Sequence, residues 1–350
     1  MGDIIVYQRN MIDRDVFRSM DYWRALGRIV LVDIDDHYPG LPPSNPAHNY
    51  WIKNVHNINP IPIEMMRIGL SKSDGLVAPS KILLKDWEHV VHGYYWPNYP
   101  TINDYEGLDQ KPIGHSDYIL SYKEPVADED NLVVRERENS EGQIVIGWGG
   151  SISHVDSFIY SGVLGALKRI MEENENVVFK FCGSEQRLDF LLKELPVKQM
   201  VKQASVRPDD WPLVISTFDI GIAPLDMRPC ESKTGHEHGV YSYDERRSWL
   251  KAVEYLCAGV PWVATKSETY KDMEPHGKCI ENGEENWYNA LKARVDSLDY
   301  FKREAWKKRT WALNRLTIEN NVGRLIEFYR KVIVDASLRR GARLPDVHYL

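Results

Sequence analysis

DERRSWLKAVEYLCAGVPWVAT, residues 244–265, reads as a helix that stops and hands over to a buried strand. Apolar residues recur at helical spacing from about Arg246 to Ala258. Gly259 ends the run, Pro261 follows it, and Trp262–Thr265 is a short apolar β-segment. At about 100° per residue, Arg247, Lys251 and Glu254 fall on one face, with Leu250, Val253 and Cys257 on the apolar face beside it. A helix feeding directly into a strand is the repeating unit of a parallel α/β sheet.

The same alternation extends in both directions. Upstream, the spacing predicts strands over 143–148, 177–181 and 218–223, and helices over about 155–174 and 190–195. Nearer the start it predicts strands over 4–7, 28–32 and 75–78, helices over 15–26 and 63–73, and a helix over 80–89 opened by a Ser80 cap. Residues 94–100 read as a strand end with a turn, and residues 286–338 as mostly helical. Residues 101–140 are polar and lack a period, which reads as loops and a linker.

The expected division is therefore an N-terminal domain over 1–125, a linker over 126–142, a second domain over 143–320, and a C-terminal helix and tail over 321–350. The 350 residues suffice for two cores.

Composition narrows the classes. Hydrophobic residues make up 43% and charged residues 27%, the balance of a folded chain. The net charge of −7 argues against a duplex nucleic-acid binder, although Lys302, Arg303, Lys307, Lys308 and Arg309 form a local basic run. That run reads as a solvated helix face or as a patch for anionic lipid or nucleic acid. The four cysteines form no CxxC pair, which fits a reduced compartment, and Cys230 with His236 and His238 gives only a weak metal pattern. No apolar run approaches the roughly 20 residues of a membrane span, and the first residues match neither a signal peptide nor a myristoylation motif. A cytoplasmic location is the expectation.

Open parallel sheets bind ligands at the carboxyl ends of their strands, and the polar motifs fall there. Two cations and a carboxylate beside a packed helix face suit a nucleoside diphosphate: Arg247 and Lys251 for phosphate, Glu254 for ribose hydroxyls. A surface ion-pair ladder at the same spacing is the alternative. Gly149, Gly150 and Ser151 follow a strand and precede a helix, so the backbone can approach an anion there, as in any tight β-to-α turn. His154 stands next to them, as a phosphate neighbour or a structural histidine. Asp33, Asp35 and Asp36 follow the second strand. They read as a metal-holding Asp-x-Asp pair, as acceptor-side carboxylates with Asp36 assisting deprotonation, or as a capped turn.

Residues 244–265 resemble the donor-binding signature of the retaining glycosyltransferases of GT-B architecture, the group-1 or family-4-like transferases. Asp244, Arg247, Ser248, Lys251, Glu254, Tyr255, Ala258, Gly259 and Pro261 carry the likeness, whereas Arg246 replaces the glutamate of the more common form. DIGIAPL (219–225), IGWGGSISHVDSF (146–158) and VFKFCGSEQ (178–186) resemble three further segments of that family in the same order. VLVDIDDHYPGLPPSNP (30–46), SKSDGLVAPS (71–80) and WPN (96–98) resemble a subgroup with a short N-terminal domain, with Asn98 as a turn residue near the hinge.

The resemblance implies an α/β fold of GT-B type, with two Rossmann-like domains facing a central cleft. It implies sugar transfer from a UDP- or GDP-sugar to an unidentified acceptor, with retention and without an essential metal or other cofactor. Lys251, Arg247 and Asp36 would act on the reaction. Gly149, Gly150, Ser151, His154, Gly183, Asp244, Ser248 and Glu254 would hold the donor, and Asp33 and Asp35 the acceptor. Loop 226–243, with Lys233, His236 and His238, would be a lid. Two other readings stay open at this point: a non-catalytic nucleotide-binding protein on the same fold, and a transferase for modified DNA bases that uses the basic run.

Overall fold

A computed structural model describes residues 3–9, 11–108, 119–122, 132–135, 142–150, 152–183, 192–230 and 241–341. The chain forms two compact units. One comprises Met1–Asn98, Pro229–Ser248 and Asn321–Leu350; the other comprises Tyr99–Arg228 and Trp249–Asn320.

The first unit carries four parallel strands in the order β1-β2-β3-β4: Ile4–Gln8, Ile29–Asp33, Gly75–Ala78 and Gly93–Tyr95. Side chains alternate along β2. Val30 and Val32 enter one core with Met66, Leu70 and Leu83, while Ile29 and Leu31 enter a second with Val77, Val332 and Ala336. Strands laid down in sequential order, joined by crossovers of one hand, place their connecting helices on a single face. The bare opposite face is covered by the helix Val322–Arg339, and Arg340 fastens that helix to the buried Asp74.

The second unit begins with a short helix, Asn103–Glu106, and an antiparallel pair, β5 (Ile119–Tyr122) and β6 (Leu132–Arg135). Its main sheet holds β7 (Ile144–Gly149), β8 (Val177–Cys182), β9 (Met200–Gln203), β10 (Ile220–Ala223), β11 (Trp262–Thr265) and β12 (Lys278–Ile280). All six are parallel, in the order β12-β11-β10-β7-β8-β9. Ile144, Ile146 and Trp148 pack on one side and Val145 on the other, so this sheet also has a core on each face. Each fully buried side chain of this kind contributes roughly 1.5–3 kcal/mol.

Several sequence expectations need correction. Residues 101–140 contain the short helix and the β5–β6 pair rather than loops alone. The helix expected over 155–174 is two, Val155–Ser161 and Val163–Glu173, parted by Gly162 at φ +85°. The helix expected from Arg246 begins at Leu250; Asp244–Arg246 is a single 3-10 turn, and Arg247 is extended at φ −80°, ψ 168°. Arg247 therefore shares no helical face with Lys251 and Glu254. Strands β9 and β12 and the helix Trp211–Ser216 were not anticipated. Of the helix expected over 190–195, residues 190 and 191 lie outside the described residues, Leu192 is helical, and 193–195 form a turn and a bend. Among the described residues no helix is long and apolar enough to cross a membrane.

Candidate functional site

In the second unit, β7-β8-β9 run outward in one direction and β10-β11-β12 in the other. The winding reverses between β7 and β10. Helices on either side of such a switch point turn to opposite faces, which opens a crevice at the two carboxyl ends. Here those ends are Gly149 and Ala223.

The helix Leu250–Cys257 is fixed beside that point. Tyr255 is wholly buried, and its hydroxyl donates to the Ile222 carbonyl at 2.9 Å. Lys251, one turn earlier, donates from Nζ to the Gly149 carbonyl at 2.6 Å and lies 5.4 Å from the centre of the Trp148 ring. Glu254 accepts a bond from the Trp211 side chain. Burial pushes its carboxyl pKa up, while Trp211 and Lys251 pull it partly back. His154 meets Trp148 edge-on at 5.8 Å between ring centres.

The glycines are explained by this packing. A Cβ on Gly149 would stand 1.9 Å from the Trp211 ring. Gly183 sits at φ +150°, and its Cβ would stand 1.9 Å from the Gly150 carbonyl oxygen. The Gly150 N–H is bonded to the Cys182 carbonyl at 3.0 Å. Within the turn, positive charge therefore comes from the lysine rather than from that amide.

The loop after β10 is braced at the same edge. The Leu225 N–H donates to Thr265 Oγ1 at 2.9 Å, Thr265 Oγ1 lies 2.8 Å from Asn282 Oδ1, and Asn282 Nδ2 donates to the Leu225 carbonyl at 2.9 Å. Arg228 then folds over the Tyr160 ring at 3.0 Å and pairs with Asp226 and Asp156.

In the first unit, the carboxyl end of β2 gathers acidic groups. Burial, reinforced by Asp35 and opposed by Arg9, raises the Asp33 carboxyl to about 6. Asp35 is held by Arg9 Nη2 at 2.7 Å and by Asn98 Nδ2 at 3.3 Å. Asp36 accepts from the Tyr243 hydroxyl at 3.3 Å. Arg247 donates from Nε to the buried Asp244 at 2.7 Å, with its guanidinium 5.1 Å from the Tyr243 ring. Burial alone would lower the Arg247 pKa, but Asp244, Tyr243 and Asp36 more than offset it and hold the group charged.

Arg246 is structural. Its Nε and Nη2 donate to the two oxygens of the buried Asp86, at 2.5 and 3.1 Å, and Nη1 reaches the Tyr241 and Ser242 carbonyls. His37, 1% exposed, lies 3.2 Å from Asp86. Burial and the Arg246 charge hold its pKa down, to about 3, so it is neutral near pH 7.

The expected site residues therefore fall in two groups. Gly149, Gly150, His154, Gly183, Lys251 and Glu254 belong to the second unit. Asp33, Asp35, Asp36, Asp244, Arg247 and Ser248 belong to the first. Ser151, Lys233, His236 and His238 lie outside the described residues, as does most of the expected lid.

The basic run is largely engaged within the chain. Lys302 pairs with Asp219 at 2.6 Å, Lys307 with Glu304 at 2.6 Å, Lys308 reaches the Pro275 carbonyl, and Arg309 reaches the carbonyls of Cys257 and Tyr105. Burial raises the Cys182 thiol to about 11 and the Cys257 and Cys279 thiols to about 12. Among the described residues no cluster of His, Cys, Asp and Glu could hold a metal ion.

Trp148 and Trp211, which frame the turn, went unread in the sequence. Their signal was the neighbouring glycine pair, since a residue with no side chain leaves space that something large must fill.

No family model matches the sequence, and no curated protein matches it. Solved structures do. The chain is similar to HepE of Anabaena in complex with UDP, at 12% identity over 94% of this chain and 79% of that one, with a TM-score of 0.56. The same protein with UDP-glucose gives 13% identity, 96% and 78% coverage and a TM-score of 0.54. Sucrose-phosphate synthase from Thermosynechococcus elongatus gives 11% identity, 95% and 74% coverage and a TM-score of 0.55. At such identities the likeness is one of fold: α/β, with two parallel-sheet units of the GT-B kind.

Proposed function

We propose that the chain is a glycosyltransferase that takes a sugar from a nucleoside-diphosphate donor held by the second unit. One observation carries the reading. Lys251 is anchored to the carbonyl that ends β7, at the point where the doubly wound sheet reverses. A dinucleotide or nucleotide-sugar pyrophosphate takes that position in open α/β sheets. HepE, of the same fold, binds UDP and UDP-glucose, which supports a uridine nucleotide as the first donor to try.

Departure of the nucleoside diphosphate leaves negative charge on the pyrophosphate. A cation fixed beforehand stabilises that charge without reorganising. Lys251 would serve so, with the Gly149 bond setting where its charge stands. Glu254 would accept from ribose hydroxyls. On the first unit, Asp244 orients Arg247 and holds it charged. Asp33 and Asp36 would hold an acceptor hydroxyl, with Asp33 the better base because its pKa lies near neutrality. Arg9 already neutralises Asp35, which supports catalysis without a divalent metal. Retention of configuration belongs to the same proposal.

A panel of UDP- and GDP-sugars tests it by release of free nucleoside diphosphate. Slow release from one donor, abolished in Lys251→Met, is expected; no release from any donor, with or without candidate acceptors, would sink the assignment. A second reading, a nucleotide-binding protein without transfer, is favoured by Arg246. Where the resembled family commonly has a glutamate, this chain has a buried cation locked to Asp86. Saturable UDP binding without turnover would select it.

A further inference from the structure

Strand β12 is the outermost strand of the second unit's sheet, with β11 between it and β10. Together with the helix Glu284–Asp296 it walls a cavity of about 700 Å³. Arg294 lies in that wall and is 6% exposed. Its Nη1 donates to the Ala290 carbonyl at 2.9 Å, its guanidinium stands 4.7 Å from the centre of the Phe301 ring, and its Nε is buried without a partner. No carboxylate pairs with it among the described residues. Burial lowers its pKa to about 10 and no neighbouring acid offsets the shift, so it stays charged at pH 7.

A buried guanidinium without a counter-charge is costly. The last turn of its helix and the Phe301 face recover only part of that cost. The cavity wall also carries Lys266 and Lys278 against Glu274 and Glu281. With Arg294 that makes three cations to two carboxylates. Lys266 and Glu281 neutralise one another at 3.1 Å.

We propose that this cavity binds a small organic anion whose phosphate or carboxylate group supplies the missing counter-charge to Arg294, with Lys278 at its mouth. The volume exceeds that of a bare ion and lies in the range of small-ligand sites. The site belongs to the sheet edge, away from the switch point at β7 and β10, and does not depend on the proposed transferase activity.

Inorganic phosphate and malonate are the probes. Thermal unfolding of the full chain is followed at low-millimolar concentrations against chloride of equal ionic strength, where general salting effects are small. Phosphate, if the ligand is a phosphate ester, or malonate, if it is a carboxylate, should raise the melting temperature saturably by about 2 °C or more. The shift should vanish in Arg294→Gln, fall by at least half in Lys278→Ala, and persist in Lys251→Met. Equal melting in chloride and both oxyanions overturns the proposal. So does a shift that survives Arg294→Gln, or one that is lost in Lys251→Met. Should Arg294→Gln not fold, an unchanged shift in Lys278→Ala, which alters only an exposed side chain, overturns it equally.

Discussion

Lys251 Nζ stands 2.6 Å from the Gly149 carbonyl oxygen, joining the first turn of one helix to the end of a strand far earlier in the chain. Side chain and strand end therefore position each other. A ligand at the switch point meets a cation whose place the backbone has already set.

Lys251→Met should lower transfer from a nucleotide-sugar by roughly a hundred- to a thousandfold, the range for removing one fixed group from a developing charge. The melting temperature should change by only a few degrees, because methionine keeps most of the unbranched apolar stem of lysine. Turnover assays beside a thermal melt check this. Near-normal turnover would remove Lys251 from the site.

Arg246→Met should act on stability instead. It strands Asp86 without its cation beside a neutral His37, a change that typically costs about 3–5 kcal/mol. Arg246→Met with Asp86→Leu should recover much of the loss, since no buried charge then stands alone. Denaturant midpoints of the two single variants and the double variant give the coupling. Simple additivity would show that the pair is not the contact described.

Asp33 ties activity to pH. Its carboxyl, raised to about 6, is protonated below that value, so a base role requires the rate to rise through about pH 6. The stability effect has the opposite sense. The folded pKa lies above the unfolded value near 3.9, so native stability is lost as pH rises between the two. Asp33→Asn should therefore unfold later than the parent at pH 8, by on the order of 1–2 kcal/mol after allowance for screening, and no later near pH 4. A pH–rate profile together with melts at the two pH values tests both halves.

Gly183→Ala should cost about 2–4 kcal/mol. It combines a left-handed backbone with a Cβ driven into the Gly150 carbonyl, and activity should fall with stability rather than independently of it. A denaturation midpoint equal to that of the parent would show that β8 ends differently.

Transfer should persist in EDTA, because Asp35 already has a cation partner in Arg9. Complete loss restored by manganese would return Asp33 and Asp35 to the metal reading.

The strands that carry both sheets were legible wherever they are continuous apolar runs. IVLVD at 29–33, IVIGWG at 144–149 and WVAT at 262–265 lie close to where they were expected. Edge strands β9 and β12, MVKQ and KCI, are short and half polar, and they offer no period to read. The misplaced helix start has a tertiary cause. Arg246 is a good helix residue by propensity, but its bonds to Asp86 and to two backbone carbonyls hold the segment in a 3-10 turn. Nothing near position 246 announces a partner at position 86. The same limit hides the split of the expected site, since Arg247 shares a helical face with Lys251 only if the helix begins before residue 247, and it begins at Leu250.

The C-terminal helix has a consequence for biosynthesis. While the nascent chain emerges, Ile29, Leu31 and Val77 leave the ribosome long before Val332 and Ala336 are made. Until then one side of the first sheet is an apolar surface open to solvent. A premature stop before residue 321 would leave that surface exposed for good, as a substrate for chaperones or aggregation.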